Sequence, residues 1–192
     1  MDKPLSRREI SHDRIVEAAS RAIRRSGYAG TGVADIMKEA GLTHGGFYAH
    51  FESRDALLAE AVTRAGLDSA ALVDRRAQNR SKGTSAFRAL IEGYLSDTHL
   101  ASAETGCVVS ALVSEIPRQA LEVREASAAR VLALIDRVRQ SLPSGAQPDA
   151  GVITSTMVGA LQLARALGDE KQARALLKSA RTALLDQYDA QP

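Results

Sequence analysis

A chain of 192 residues is long enough to bury a sizeable core, either as one domain or as a small domain set on a larger one. Hydrophobic residues make up 45% of it but aromatics only 4%, so the core must be built from Ala, Leu, Val and Ile, which favours closely packed helices. The formal charge of +2 is too small to argue nucleic-acid binding from the total, one cysteine excludes an intramolecular disulfide and fits a reducing compartment, and no apolar run approaches the roughly 20 residues of a membrane span. With a polar rather than signal-like start, the chain is expected to be soluble and cytoplasmic, without a membrane partner.

Charge is unevenly placed. Residues 1–25 hold seven basic side chains, Lys3, Arg7, Arg8, Arg14, Arg21, Arg24 and Arg25, against four acidic ones. A basic arm would suit phosphate contact or minor-groove insertion; a frayed, solvated terminus accounts equally for Lys3, Arg7 and Arg8. The first helix is predicted to start at Ser11, with Ile10 and Ile15 as a hydrophobic staple, and to bury Ile15, Ala18, Ala19, Ala22 and Ile23. Gly27 ends it, Tyr28 packs beneath the next elements, and Thr31 or Gly32 caps a second helix over residues 33–40.

The stretch Gly41-Leu42-Thr43-His44-Gly45-Gly46-Phe47-Tyr48-Ala49-His50-Phe51 is the most informative. Gly41 suits the left-handed position after a helix, and Thr43 can cap a further short helix with its hydroxyl. Helix, tight turn and helix make a helix-turn-helix, whose second helix enters the major groove in DNA-binding versions. Phe47 and Phe51, four apart, are assigned to the core. Thr43, His44, Gly45, Gly46, Tyr48 and His50 then face outward. The glycine pair costs helix stability, so it either lets the backbone approach a groove wall or marks a turn ahead of a helix starting at Phe47. His50 is either a phosphate anchor or a satisfied partner within the domain. Ser53 caps the following helix, where Arg54 is either a phosphate contact or half of a surface ion pair.

Gly27-Tyr28, Thr31, Asp35-Ile36, Ala40-Gly41-Leu42-Thr43, Phe47-Tyr48-Ala49-His50-Phe51 and Ser53-Arg54-Asp55-Ala56-Leu57-Leu58 together resemble the DNA-binding domain of TetR-type (tetracycline repressor-like) transcriptional regulators. The resemblance covers about the first third of the chain. It implies an all-α fold of about nine helices: a three-helix helix-turn-helix domain over 1–65 and a helical effector-binding and dimerisation domain over 66–192. It also implies a homodimeric repressor on a palindromic double-stranded DNA operator, released by an unknown small-molecule effector. The DNA-binding residues expected are Thr43, His44, Gly45, Gly46, Tyr48, His50 and Arg54. His44 is the best candidate for a base edge, with Thr43 and Tyr48 on phosphate.

Further along, the helix after Ser53 persists towards Val73, so that it connects the two domains if Gly66 does not break it. Residues 78–84 are polar and aperiodic, a loop. Ala86, Phe87, Leu90, Ile91, Tyr94 and Leu95 mark an amphipathic helix, and Cys107 to Ile116 a short apolar one. Pro117 sits where the next helix can begin, with Leu121, Ala128, Val131, Ile135, Val138 and Leu142 as its buried seam. After a loop over 143–148, residues 152–167 and a last helix capped by Asp169 show small and aliphatic faces. These read as a self-complementary dimer surface or as intramolecular core. Few aromatics argue against a cage for flat cations and favour a small apolar or reactive effector. Phe87, Tyr94, Cys107, Met157 and Leu161 are its candidate lining, each otherwise simple core. Cys107 is either inert core or an electrophile or oxidant sensor. No metal-spaced Cys/His set, nucleophile elbow or P-loop is present, so neither enzyme activity nor a cofactor is expected. The alternative class is a helical protein-interaction module without operator binding.

Overall fold

The computed structural model describes residues 4–78 and 80–189; Lys3 of the basic arm and Asn79 of the polar loop lie outside them. Among the described residues there is no strand, and nine α-helices follow one another with three 3-10 segments between them. No helix is long and apolar enough to cross a membrane.

Helix α1 (Arg7–Ser26) begins four residues before the expected Ser11. A capping box decides this: the Ser6 hydroxyl accepts from Glu9 N–H, and Ser6 N–H donates to the Glu9 carboxylate at 2.7 Å. Two donors at the helix start are thereby satisfied, and Ile10 stays exposed rather than forming a staple. Arg7 and Arg8 accordingly lie in the first turn of α1, not in an arm ahead of it. The apolar stripe of α1 is buried as its spacing requires.

Helix α2 (Val33–Glu39) starts after Gly32, while Thr31 is buried and donates instead to Gly27 O at 2.7 Å. Its end explains Gly41. Leu42 N–H bonds Met37 O at 2.8 Å and Gly41 N–H bonds Lys38 O at 3.0 Å, which places Gly41 at φ +68°. This double bond is the Schellman ending, and a Cβ there would be strained by about 1–2 kcal/mol. The turn leads into a short 3-10 helix over His44–Ala49.

Helix α3 (Arg54–Gln78) is unbroken through Gly66 and runs across the expected domain boundary at 65/66. At about 1.5 Å per residue its 25 residues reach about 37 Å. Its first half closes the helix-turn-helix core with Leu57, Leu58, Ala61 and Val62, and its second half packs on α7. Gln78, expected at the start of a loop, is instead the last residue of α3.

Helix α4 (Ala86–Tyr94) is capped by Ser85, and α5 (Asp97–Ala101) by Ser96, a break that the apolar periodicity conceals. Helix α6 (Val108–Leu112) is short, and Pro117 falls in a 3-10 turn rather than opening α7 (Leu121–Ser141). The α7 seam differs from the expected one: Leu121 and Ala128 are exposed, and Val123, Ser127, Val138 and Leu142 are buried. Residues 144–149 form a 3-10 segment where a loop is expected. Helices α8 (Ala150–Ala166) and α9 (Glu170–Tyr188) pack against each other, with Asp169 accepting from Gln172 N–H at 2.7 Å to cap α9.

We expect Gly41→Ala to lower unfolding free energy by about 1–2 kcal/mol, because it forces a side chain into the left-handed region. Urea unfolding of the two proteins measures the difference.

Candidate nucleic-acid interface and cavity

The 3-10 helix His44–Ala49 is held from behind by aromatic packing. Phe47 and Phe51 are buried and stack with centroids 5.6 Å apart, and His12 of α1 stacks on Phe51 at 4.6 Å. His12 is itself fixed by Glu60 of α3, 2.8 Å from its Nε2. What faces out is Thr43, His44, Gly45 and Tyr48, whose side chain is 75% exposed. A large aromatic so exposed, beside two glycines, is not explained by folding.

Gly45 has nothing within 4 Å of where a Cβ would stand, and its φ is not positive. Neither the backbone nor the packing of this chain requires glycine there. Thr43 occupies the cap position with extended backbone, but its hydroxyl makes no cap hydrogen bond; Gly46 N–H bonds Thr43 O at 3.0 Å instead. The expected hydroxyl cap is thus replaced by a main-chain 3-10 turn.

His50 ends this helix, half-buried, and its Nδ1 is buried without a hydrogen-bond partner. Burial, and then the nearby His12 and Arg8, push its imidazole below the usual histidine range, so the neutral form is favoured in the folded domain. Arg54 is committed to the fold. Its Nη2 donates to Tyr28 O and to Thr31 O, the latter at 3.1 Å, tying the α1–α2 connection to the start of α3, and its Nη1 lies 3.9 Å from Asp55. Arg8 has a role the sequence does not reveal: its Nη2 donates to Ala49 O at 2.9 Å, at the C-terminal end of the 3-10 helix.

A cavity of about 410 Å³ lies in the C-terminal half, walled by α3, α4, α6 and α7. Of the expected lining, Tyr94 and Cys107 are present. Phe87, Met157 and Leu161 are not: all three are buried core, Phe87 meeting Tyr188 edge-on at 6.2 Å. Ala86, Ala89, Leu90 and Gly93 supply the α4 wall instead, so the bulky Phe87 lies on the face turned towards α9. His99 also lines the cavity. Its Nδ1 lies 2.7 Å from Tyr94 O and its Nε2 accepts from Cys107 N–H at 2.9 Å, which assigns the proton to Nδ1 and leaves the ring neutral. Burial, and next the Cys107 thiol, hold the Tyr94 phenol well above its ordinary value, so it is protonated at neutral pH.

The two parts touch at Gly106. Its carbonyl accepts from Ser69 Oγ of α3 at 3.0 Å and from the buried Arg24 of α1 at 3.4 Å. The desolvated Arg24 guanidinium, whose proton affinity burial lowers, has Asp68 3.9 Å away. Tyr28 makes a second link, with its hydroxyl 2.8 Å from Ser127 of α7 and its N–H on Glu115 at 2.9 Å.

Fold and surface together define an all-helical protein with an N-terminal helix-turn-helix and a helical domain enclosing a cavity. Known proteins agree. Residues 15–61 match the family described as "Bacterial regulatory proteins, tetR family". The uncharacterized HTH-type transcriptional regulator YerO of Bacillus subtilis (strain 168) is 39% identical over 49 residues, which are 26% of this chain and 17% of that protein. The reduced form of Escherichia coli NemR superposes with a TM-score of 0.77 at 18% identity, covering 95% of this chain and 98% of that one. AibR in complex with isovaleryl coenzyme A and operator DNA does so at 0.61 and 20% identity, covering 87% and 96%. Residues 15–61 therefore carry a helix-turn-helix DNA-binding domain of the tetR family, and the chain as a whole shares the all-helical fold of NemR and AibR.

Substituting Gly45 with Ala is expected to leave stability unchanged or raise it by up to about 1 kcal/mol while weakening duplex binding. Urea unfolding and fluorescence anisotropy on one preparation check both halves, and a variant that binds DNA as well as the parent sinks the close-approach role.

Proposed function

We propose that the chain is a homodimeric, cytoplasmic repressor that binds a palindromic operator through paired 3-10 helices and leaves it when a small molecule fills the cavity. The observation that carries this is the exposed Tyr48 beside an open Gly45, on a helix whose other face is locked by Phe47 and Phe51. Thr43, Tyr48 and main-chain N–H groups meet phosphate, and His44 meets a base edge. Gly45 and Gly46 bring the backbone close to the groove wall. His50 supports this surface from within the domain, and Arg54 acts through the Tyr28 and Thr31 carbonyls as well as by its charge near phosphate. With few specifying side chains, part of the selectivity comes from DNA shape.

Dimerisation rests on α8 and α9. Val152 and Leu163 of α8 and Leu167 at its C-terminal cap are 63%, 61% and 45% exposed, and the small residues Ser155 and Thr156 lie on the same outward side. Such an apolar stripe on one helix suits burial against its own symmetry mate. A two-fold pair would present its reading helices to half-sites about 34–36 Å apart. AibR, of the same fold, is in complex with isovaleryl coenzyme A and operator DNA, which supports a chain that takes both a small-molecule ligand and an operator.

Operator selection from random duplexes, repeated with candidate ligands, tests the whole reading; a protein that enriches no sequence overturns it. We expect Tyr48→Phe to weaken operator binding by about ten-fold, the worth of one hydrogen bond to phosphate, without unfolding the protein. Leu163→Arg should yield a folded monomer by light scattering, with operator affinity lower by at least about ten-fold; a dimer that survives this change places the interface elsewhere.

A further inference from the structure

The cavity walls are mostly aliphatic, with Leu67, Ala70, Leu90, Val109 and Leu134 among them. Two polar groups in these walls stand out. The Tyr94 hydroxyl and Arg130 Nε are both buried and have no hydrogen-bond partner among the described residues. Buried donors are ordinarily satisfied, and an unsatisfied one on a charged group is the costliest kind.

Arg130 reaches this position by a specific arrangement. Its hydrocarbon stem lies against α3 at Gly66, where an added Cβ would come within 2.2 Å of Arg130 Cδ and 3.5 Å of its Nε. The missing side chain in the middle of α3 is what lets the arginine of α7 cross there. Glycine inside a 25-residue helix costs stability relative to alanine, and here the cost positions a cation.

Charge bookkeeping around the cavity leaves that cation uncompensated. Arg137, the other guanidinium in the wall, is paired with Asp74. The described lining contains no Asp or Glu, and Arg130 has no ion-pair partner among the described residues. His99 is kept neutral by its two hydrogen bonds, so it adds no second positive charge. One unpaired guanidinium against an aliphatic surface suits a single negative charge carried on an apolar body, and the planar fork of arginine matches a carboxylate.

We propose that the cavity binds an amphipathic monoanion, an ionised aliphatic carboxylic acid, with its carboxylate on Arg130 and its chain along the aliphatic wall. The Tyr94 hydroxyl offers a neutral hydrogen-bonding point elsewhere on the same ligand. This names the effector class for the regulator proposed above and rests on that reading.

The test is calorimetric titration of the full chain with hexanoate, octanoate and decanoate and with the matching primary alcohols. At least one carboxylate should bind about ten-fold or more tightly than its alcohol. Arg130→Gln should bring the pair within about two-fold of each other while leaving alcohol affinity and circular dichroism unchanged, and Arg130→Lys should keep part of the preference. An alcohol that binds the parent as tightly as its acid, a preference that survives Arg130→Gln, or no binding by any probe overturns the assignment. Release of a selected operator duplex is scored separately. Carboxylate binding without release leaves the anion site standing and removes the effector role; release by acids and alcohols alike keeps the effector role and removes the anion site.

Discussion

One peptide group bridges the helix-turn-helix part of this molecule and its cavity wall directly. The carbonyl of Gly106 accepts from Arg24 of α1 and Ser69 of α3, while the N–H of the same peptide unit, on Cys107, donates to His99 in the cavity wall. Because a peptide is planar and resists twisting, its two edges cannot be reoriented independently. Gly106 is also closely packed: a Cβ would stand 2.6 Å from Ser102 O and 2.8 Å from the His99 ring. The unit therefore has little room to move without its neighbours. Displacing His99 or Cys107 would disturb the buried Arg24, which Ser20 O at 2.9 Å and Asp68 also hold in place.

Helix α3 gives this contact its mechanical meaning. Its first turns carry the Arg54 bonds that hold the α1–α2 connection, and its later turns supply Gly66, Leu67, Ser69 and Ala70 to the cavity. One continuous helix is thus both part of the helix-turn-helix core and a wall of the cavity. No separate linker lies between the helix-turn-helix and the cavity, and the expected boundary at 65/66 falls within the continuous α3.

Much of this was open to a reader of the sequence, for local reasons. Gly41 after an apolar-periodic segment, Phe47 and Phe51 one turn apart, and Ser53 before Asp55 are short-range signals whose physics is complete within a few residues. All appear as read. The misplaced start of α1 was also local: Ser6 with Glu9 is a capping box, and two satisfied main-chain donors outweigh the Ile10–Ile15 staple that favoured Ser11. The break between α4 and α5 was harder to see, because Tyr94, Leu95 and Leu100 continue a helical spacing across the Ser96 cap.

The cavity was the least legible part, and the reason is geometric. A reader looking for a ligand site ranks large or reactive side chains first, hence Phe87, Met157 and Leu161, yet those are the residues that best fill space and they were drawn into the core. A cavity survives where side chains are small or point elsewhere, so its walls are marked by Gly66, Ala70, Ala86, Ala89 and Gly93, residues with no chemical signal of their own. Its polar features depend on partners far away in sequence. Arg137 is distinguished from Arg130 only because Asp74 lies opposite one and not the other, and Arg54 reads as a groove cation until Tyr28 and Thr31 are found at its guanidinium. The sign and number of charges left over after such pairing is a property of the folded chain, and it is that remainder, not the count of basic residues, that a ligand meets.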